Sequence, residues 1–164
     1  MAENVIRLTG LDGVYGMLRS LPAEVVSKSG GPAKTALRKG ARVILAAEKA
    51  NLRAVTSNAT KEGSETTGLL AKNLVVTRGK APSEGKGERY LVRVKRKAYV
   101  RKGKQVTTLK SAQLLEYGSS QQPAEPWIRP AFLSKAEEAI RTIERELVDG
   151  IDRIASRLMR QGGA

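Results

Sequence analysis

The chain of 164 residues contains neither cysteine nor histidine. Without cysteine it has no disulfide bonds and no thiolate metal sites. Without histidine it has no imidazole base, no Ser-His-Asp triad and no histidine-ligated metal. Aromatic residues make up only 4% of the chain, so the core must be built mainly from Leu, Val, Ile and Ala. Because no run of about 18 apolar residues occurs, we expect no transmembrane helix. We also expect no signal peptide, since no apolar segment follows the N-terminal charges.

Positive charge is abundant and unevenly distributed. The formal net charge is +14, with 30 basic and 16 acidic residues. Residues 67–117 carry 13 basic and 3 acidic side chains, whereas residues 118–164 carry 7 of each. The densest cationic run comprises Arg93, Lys95, Arg96, Lys97, Arg101, Lys102 and Lys104. Such a run attracts phosphate backbones through counterion release. A solvated face or a surface that binds an acidic protein is the alternative.

Few aromatic side chains accompany this cationic run. Only Tyr90 and Tyr99 lie close to it in the sequence, so stacking of nucleic-acid bases is poorly supported. Any contact with DNA is therefore expected to involve the backbone and to lack sequence preference.

Apolar spacing predicts two long helices. The first begins at Pro32, which suits a first helical position, and extends to about Arg53 with an apolar stripe of small residues. That stripe comprises Ala33, Leu37, Gly40, Ile44 and Ala47. The second begins at Pro130 and extends to about Arg160, with a heptad-like repeat that ends at Leu158. This repeat either packs on the domain itself or extends onto a neighbouring subunit.

Between these helices the sequence predicts short strands. Candidate strands cover 73–78 and 89–97, and a hairpin turns at Gly103. In the second strand Tyr90, Val92 and Val94 share one face. Residues 111–117 fit either a helix or a strand. Together these elements predict an α+β fold, in which a small, mainly antiparallel sheet packs with both long helices.

The remaining segments complete a single domain over residues 1–164. We expect a weak strand at 4–9, an amphipathic helix at 11–21, a mobile loop at about 55–66 and a flexible connection at 79–88. A basic β region covers about 72–110. A short helical segment is expected near Leu69, after a turn at Gly68.

The acidic residues do not form a catalytic pattern. Glu137 and Glu138 are adjacent on a predicted helix and therefore cannot face each other, and Glu137 is better placed to pair with Arg141 four residues later. No acidic cluster resembles an oxygen-ligand metal site. We therefore predict a protein that is not an enzyme, with no catalytic residue, metal or cofactor.

Aromatic and proline residues concentrate at 115–132. Trp127 and Phe132 are the only Trp and the only Phe, and they lie within seven residues of each other. Either they anchor the final helix to the core, or they contact another subunit, since Trp and Arg are favoured at interfaces.

This window resembles a motif of the tail-completion or head–tail joining (neck, minor tail component) proteins of long-tailed bacteriophages. The residues that carry the resemblance are Glu116, Tyr117, Gly118 and Ser119, followed by Pro126, Trp127, Ile128, Arg129, Pro130, Ala131 and Phe132. Ser119 stands where the family usually has Thr. The segments Gly10–Asp12 and Thr67–Leu70 are also similar to family patterns.

The resemblance implies a structural virion protein with an α+β fold and no catalysis. Such proteins assemble as a ring, here expected to be hexameric, at the head-proximal end of the tail, after synthesis in the host cytoplasm. The implied partners are other copies of the chain, the tail terminator, the tail tube and the connector. The DNA backbone is a further candidate partner, because DNA passes through the ring, and no membrane is implied.

Two other functions remain open. The composition also fits a free-standing protein that binds nucleic acid without sequence preference, although such a role does not explain the neutral C-terminal third or the proline-aromatic motif. The size also fits a tail terminator of the same particle.

Overall fold

The computed structural model describes residues 31–57, 68–80, 88–101 and 103–162. The predicted strand at 4–9, the predicted helix at 11–21 and the Gly10–Asp12 segment lie outside these ranges. So do Thr67, Lys102 and most of the predicted connection at 79–88.

The chain has an α+β fold, as predicted. Helix α1 (Pro32–Ser57) is followed by the short helix α2 (Leu69–Asn73) and strands β1 (Leu74–Arg78) and β2 (Tyr90–Val94). Strands β3 (Ala98–Arg101) and β4 (Lys104–Thr107) come next, and helices α3 (Thr108–Tyr117) and α4 (Ile128–Gly162) complete the described part. The strands form two separate antiparallel pairs, β1 with β2 and β3 with β4.

Helices α1 and α4 pack closely because small residues allow it. A Cβ atom added to Gly40 would lie 2.4 Å from Ile143 Cγ1, and one added to Gly150 would lie 2.4 Å from Pro32 Cβ. Ala33, Ala36 and Leu147 are buried between the two helices, with Ile143 and Ile151 packed beside them. Ala33 and Gly40 of the predicted stripe therefore lie on the face of α1 that α4 covers, whereas Leu37 and Ala47 are only half-buried and Ala36 and Glu48 are buried in place of them. The predicted packing of α4 on the domain itself is confirmed as far as Ile151.

A second apolar cluster joins α1 to the first sheet. Its buried members are Leu52, Leu74, Ala112 and Trp127, and half-buried Val92 and Val94 pack against them. Val92 lies opposite Val76 and Val94 lies opposite Leu74 in the β1–β2 register. The predicted inward face of the second strand is thus confirmed.

Several predicted boundaries are wrong. Helix α1 continues to Ser57, so the first three residues of the predicted loop at 55–66 are helical, and the rest of that loop lies outside the described residues. The side chain of Thr56 bonds back to the Leu52 carbonyl at 2.8 Å, which satisfies its hydroxyl within the helix. Strand β2 ends at Val94, three residues before the predicted end. The ambiguous segment 111–117 is helical.

Helix α4 begins two residues earlier than predicted. It has 35 residues, a length of about 52 Å at 1.5 Å per residue. Pro130 is its third residue and not its first. The heptad-like repeat predicted for this helix includes Ala136, Ile140, Ile143, Leu147 and Ile151. Leu147 is buried, with Ile143 and Ile151 packed beside it, whereas Ala136 and Ile140 are only half-buried.

Candidate functional site

The Glu116 carboxylate binds the beginning of helix α4. It accepts hydrogen bonds from the backbone N–H groups of Trp127 (2.8 Å), Ile128 (2.9 Å) and Arg129 (3.3 Å). The first N–H groups of a helix have no partner within the helix and carry a partial positive charge. Glu116 satisfies them from the end of a different helix, α3. We call Glu116 with the amides of residues 127–129 the helix cap.

Proline completes this arrangement. The next backbone nitrogen, that of Pro130, carries no hydrogen, so one carboxylate meets all the available donors of the first turn. The Arg129 side chain adds a hydrogen bond from Nε to Glu116 Oε1 at 3.2 Å. Glu116 is only 2% exposed, and these four hydrogen bonds offset the free-energy cost of burying its charge.

The helix cap also sets the ionisation of Glu116. Burial acts to raise the pKa of this carboxyl, but the hydrogen bonds from Ile128, Trp127 and Arg129 outweigh it and hold the pKa below its usual value. The carboxylate therefore stays charged at neutral pH, as an anion at a helix N-terminus should.

Gly118 allows the chain to turn between α3 and the loop before α4. Its φ is +75°, and an added Cβ would lie 2.7 Å from the Ala124 nitrogen and 2.9 Å from the Gln122 oxygen. Its own N–H closes α3 by donating to the Leu114 carbonyl at 2.9 Å. Only glycine meets both conditions.

Trp127 anchors the cap in the core. Its side chain is fully buried, and its carbonyl accepts a hydrogen bond from Asn51 of α1 at 3.2 Å. The core interpretation of this residue is therefore confirmed. Phe132, predicted to act with it, is only half-buried, because it lies on the helix next to the buried Ala131 and not at the cap.

Several side chains of the family-like motif are exposed at the surface. The Arg129 guanidinium lies 5.2 Å from the centroid of the Tyr117 ring, and Tyr117 is 69% exposed. Pro126 and Pro130 are exposed beside them. The buried members thus build the cap, while the exposed members present a surface that the cap holds in place.

A second buried carboxyl lies close to the first. Glu48 of α1 is 4% exposed, and burial together with the nearby charge of Glu116 raises its pKa to about 7. Sequence reasoning missed this residue. The signal was its position four residues after Ile44 and four before Leu52, which places it on the buried face of α1.

The cationic run is exposed on β2, on the segment 95–97 that follows it and on the β3–β4 hairpin. Its described members are all exposed: Arg93, Lys95, Arg96, Lys97, Arg101 and Lys104. We call these six residues the basic surface. Lys102 belongs to the predicted set but lies outside the described residues. In the part of the chain that the structure describes, no carboxylate forms an ion pair with Arg93, Lys95, Arg96, Lys97 or Lys104.

Thr108 fixes the base of the hairpin. It is 1% exposed, and its hydroxyl donates to the Lys95 carbonyl at 2.6 Å and accepts from the Lys97 N–H at 2.9 Å. Nothing in the sequence pattern singled out this threonine. It holds the backbone of three cationic residues, 95–97, in a defined conformation against α3.

Three ion pairs lie on helices α1 and α4. Glu146 binds Lys39 at 2.6 Å, Glu138 binds Lys135 at 2.6 Å, and Glu137 lies 3.5 Å from Arg141 as predicted. Over the described ranges, no group of three or more acidic side chains could hold a metal ion. No helix there is long and apolar enough to cross a membrane.

Comparison of the chain with models of known protein families, with curated proteins and with solved structures finds no match.

Proposed function

We propose that the chain is a structural virion protein of the bacteriophage neck, which completes the tail and joins it to the head as a ring around the DNA channel. The observation that carries this proposal is the helix cap. Two separated pieces of the family-like motif, 116–118 and 126–130, meet at one helix terminus and stabilise the fold. A motif with such a role suits a structural protein, and the proposal includes no catalytic step.

The exposed half of the motif is the proposed contact surface. Tyr117 and Arg129 stack on each other at the surface, and Leu133, one helical turn after Arg129, is 64% exposed. Tyr and Arg are favoured anchors of protein interfaces. We assign this surface to contacts with other subunits of a hexameric ring or with the terminator, tube or connector proteins.

The basic surface has a separate role in this proposal. Its exposed cations face the DNA in the channel or an acidic neighbour in the neck. Long-range attraction of this kind is non-specific, which suits a protein that must accommodate any DNA sequence.

Electron microscopy of a lysate tests the proposal, with a phage that carries a stop codon early in this gene. We expect filled heads beside separate tails of normal length, because the joining step would be missing. As a control, the wild-type gene supplied from a plasmid should restore joined particles.

Two outcomes would overturn the joining role. Tails of uncontrolled length would assign the chain to the tail terminator. Intact, infectious virions would leave the free-standing nucleic-acid-binding function, which the exposed cations of the basic surface favour.

A further inference from the structure

The stretch of sequence that carries the basic surface contains no acidic residue. Residues 89–115 hold nine basic side chains and no Asp or Glu. The two carboxylates that border this stretch are already engaged, Glu88 with Arg78 and Glu116 with the helix cap. Among the described residues, no carboxylate forms an ion pair with five of its six cations, Arg93, Lys95, Arg96, Lys97 and Lys104. These five are exposed and can therefore receive negative charge from another molecule.

The composition of this surface does not fit a protein partner. Protein interfaces have an apolar centre with aromatic anchors and are depleted in lysine. Here three of the six residues are lysines. Of the large apolar side chains on the described part of the hairpin, Val100 is the exposed one, at 73%. The cations therefore match a partner that is itself dense in negative charge.

Single-stranded nucleic acid fits less well than a duplex. Single strands are bound by aromatic rings on which bases stack. Tyr99, the aromatic residue of the hairpin, is half-buried and its hydroxyl lies 2.6 Å from Ser111 Oγ. Its ring is thus held toward α3, on the face that it shares with Val106 in the β3–β4 register.

The hairpin spreads the cations over a distance that suits a duplex. Strand β3 separates Lys95–Lys97 at the base from Lys104 near the turn, and its four residues extend about 10 Å at 3.4 Å per step. Duplex DNA presents one charge per ~1.7 Å of its axis, so both ends of the hairpin can meet phosphates at once. The Thr108 hydrogen bonds hold the base cluster in place.

We propose that the basic surface binds the phosphate backbone of double-stranded DNA without sequence preference. The biological setting, DNA passing through the neck, rests on the proposed function, but the binding itself is a property of the isolated chain. Of the two partners named for the basic surface, DNA and an acidic neighbouring protein, we therefore favour DNA.

The test measures fluorescence anisotropy of a labelled 30-base-pair duplex with the purified full-length chain between 50 and 300 mM salt. About five phosphate contacts give a slope of log K against log salt near −4.5. The variant K95Q/R96Q/K97Q should bind at least tenfold more weakly at 100 mM salt and reduce the magnitude of the slope by about 3. The control R145Q/R153Q/R157Q removes the same charge from exposed positions of α4 and should stay within about twofold of wild type. Circular dichroism verifies that both variants are folded.

Three results would overturn the proposal. Equal losses in both variants would mean that net charge alone causes binding. Equal competition by polyglutamate at the same charge concentration would indicate an acidic protein, and tighter binding of a single strand than of the duplex would exclude the duplex. These outcomes are separate from the stop-codon experiment. Separate heads and tails together with no duplex binding would leave the neck role standing and remove only this inference.

Discussion

The helix cap and the basic surface are close in sequence, but their charged groups differ in burial and in the number of their partners. At the cap the carboxylate of Glu116 is 2% exposed, and it accepts hydrogen bonds from three backbone N–H groups and from the Arg129 side chain. On the basic surface, five exposed cations have no carboxylate partner among the described residues: Arg93, Lys95, Arg96, Lys97 and Lys104. Charge that is buried and satisfied contributes to folding, whereas exposed and unmatched charge contributes little to folding and is available for binding.

The two regions also differ in packing: the cap is part of the apolar core, whereas the hairpin that carries part of the basic surface is a separate two-stranded sheet. Trp127 places the cap in a cluster with Leu52, Leu74 and Ala112. The β3–β4 hairpin is a two-stranded sheet by itself, and such hairpins are only marginally stable alone. Its attachment depends on a few polar contacts, those of Thr108 and the Tyr99–Ser111 pair. The comparison predicts that stability and DNA binding can be changed independently.

Removing the capping carboxylate should produce the largest loss of stability. In Glu116→Ala three backbone donors at the helix cap lose their acceptor and the exposed Arg129 loses its carboxylate partner. We expect the free energy of unfolding to fall by about 4 kcal/mol. Urea unfolding followed by circular dichroism at pH 7 measures it. The control Glu137→Ala removes an exposed carboxylate of α4 and should change stability by less than about 0.5 kcal/mol. Equal effects of both substitutions would contradict the structural role of the cap.

The sequence predicted the long helices and strands because their signals are local. Pro32, the small-residue stripe of α1 and the alternation in β2 each act within one element. The grouping of Glu116 with Trp127 and Arg129 as a motif was visible only through resemblance. Its mechanism, a cap bridging 11 to 13 residues, depends on how α3 is placed against α4, which no local pattern encodes.

The incorrect or missing sequence predictions also arise from tertiary contacts that no local pattern encodes. Pro130 looked like a first helical residue, but Glu116 stabilises two further residues before it, and so α4 begins at Ile128. Glu48 and Thr108 escaped notice because polar residues are mostly exposed, and their burial follows from tertiary packing. The basic surface was predicted correctly as a set of exposed residues, since no tertiary contact was needed to define it.

The second buried carboxyl gives a pH dependence of opposite sign to that of Glu116. The pKa of Glu48 is raised from 4.5 to about 7 in the folded state, so the folded chain binds an additional proton between these values and stability falls as pH rises through this window. Glu116, with its lowered pKa, contributes stability above pH 4.5 that is lost as the pH falls through its folded-state pKa.

Replacing Glu48 with Gln tests this difference. The variant should lose the decline between pH 4.5 and 7 and should be more stable than wild type at pH 8, on the order of 2 kcal/mol, because a neutral amide costs less to bury than a carboxylate. Urea midpoints at pH 4.5, 6, 7 and 8 measure the effect, with Glu138→Gln as the exposed control. A wild-type profile that is flat over this range would contradict the raised pKa.

The smallest effect on stability is expected at the basic surface, where the effect on binding is largest. K95Q/R96Q/K97Q removes charges without carboxylate partners, so the free energy of unfolding should change by no more than about 0.5 kcal/mol. Loss of like-charge repulsion should make the variant slightly more stable at low salt, and this gain should disappear at 0.5 M salt because the repulsion is screened. The comparison variant Thr108→Val alters the same hairpin from its buried side and should cost about 2 kcal/mol, since the Lys95 carbonyl and the Lys97 N–H lose their partner. A loss above 1 kcal/mol in the triple variant would mean that these cations serve the fold, and the separation between a stabilising cap and a binding surface would fail.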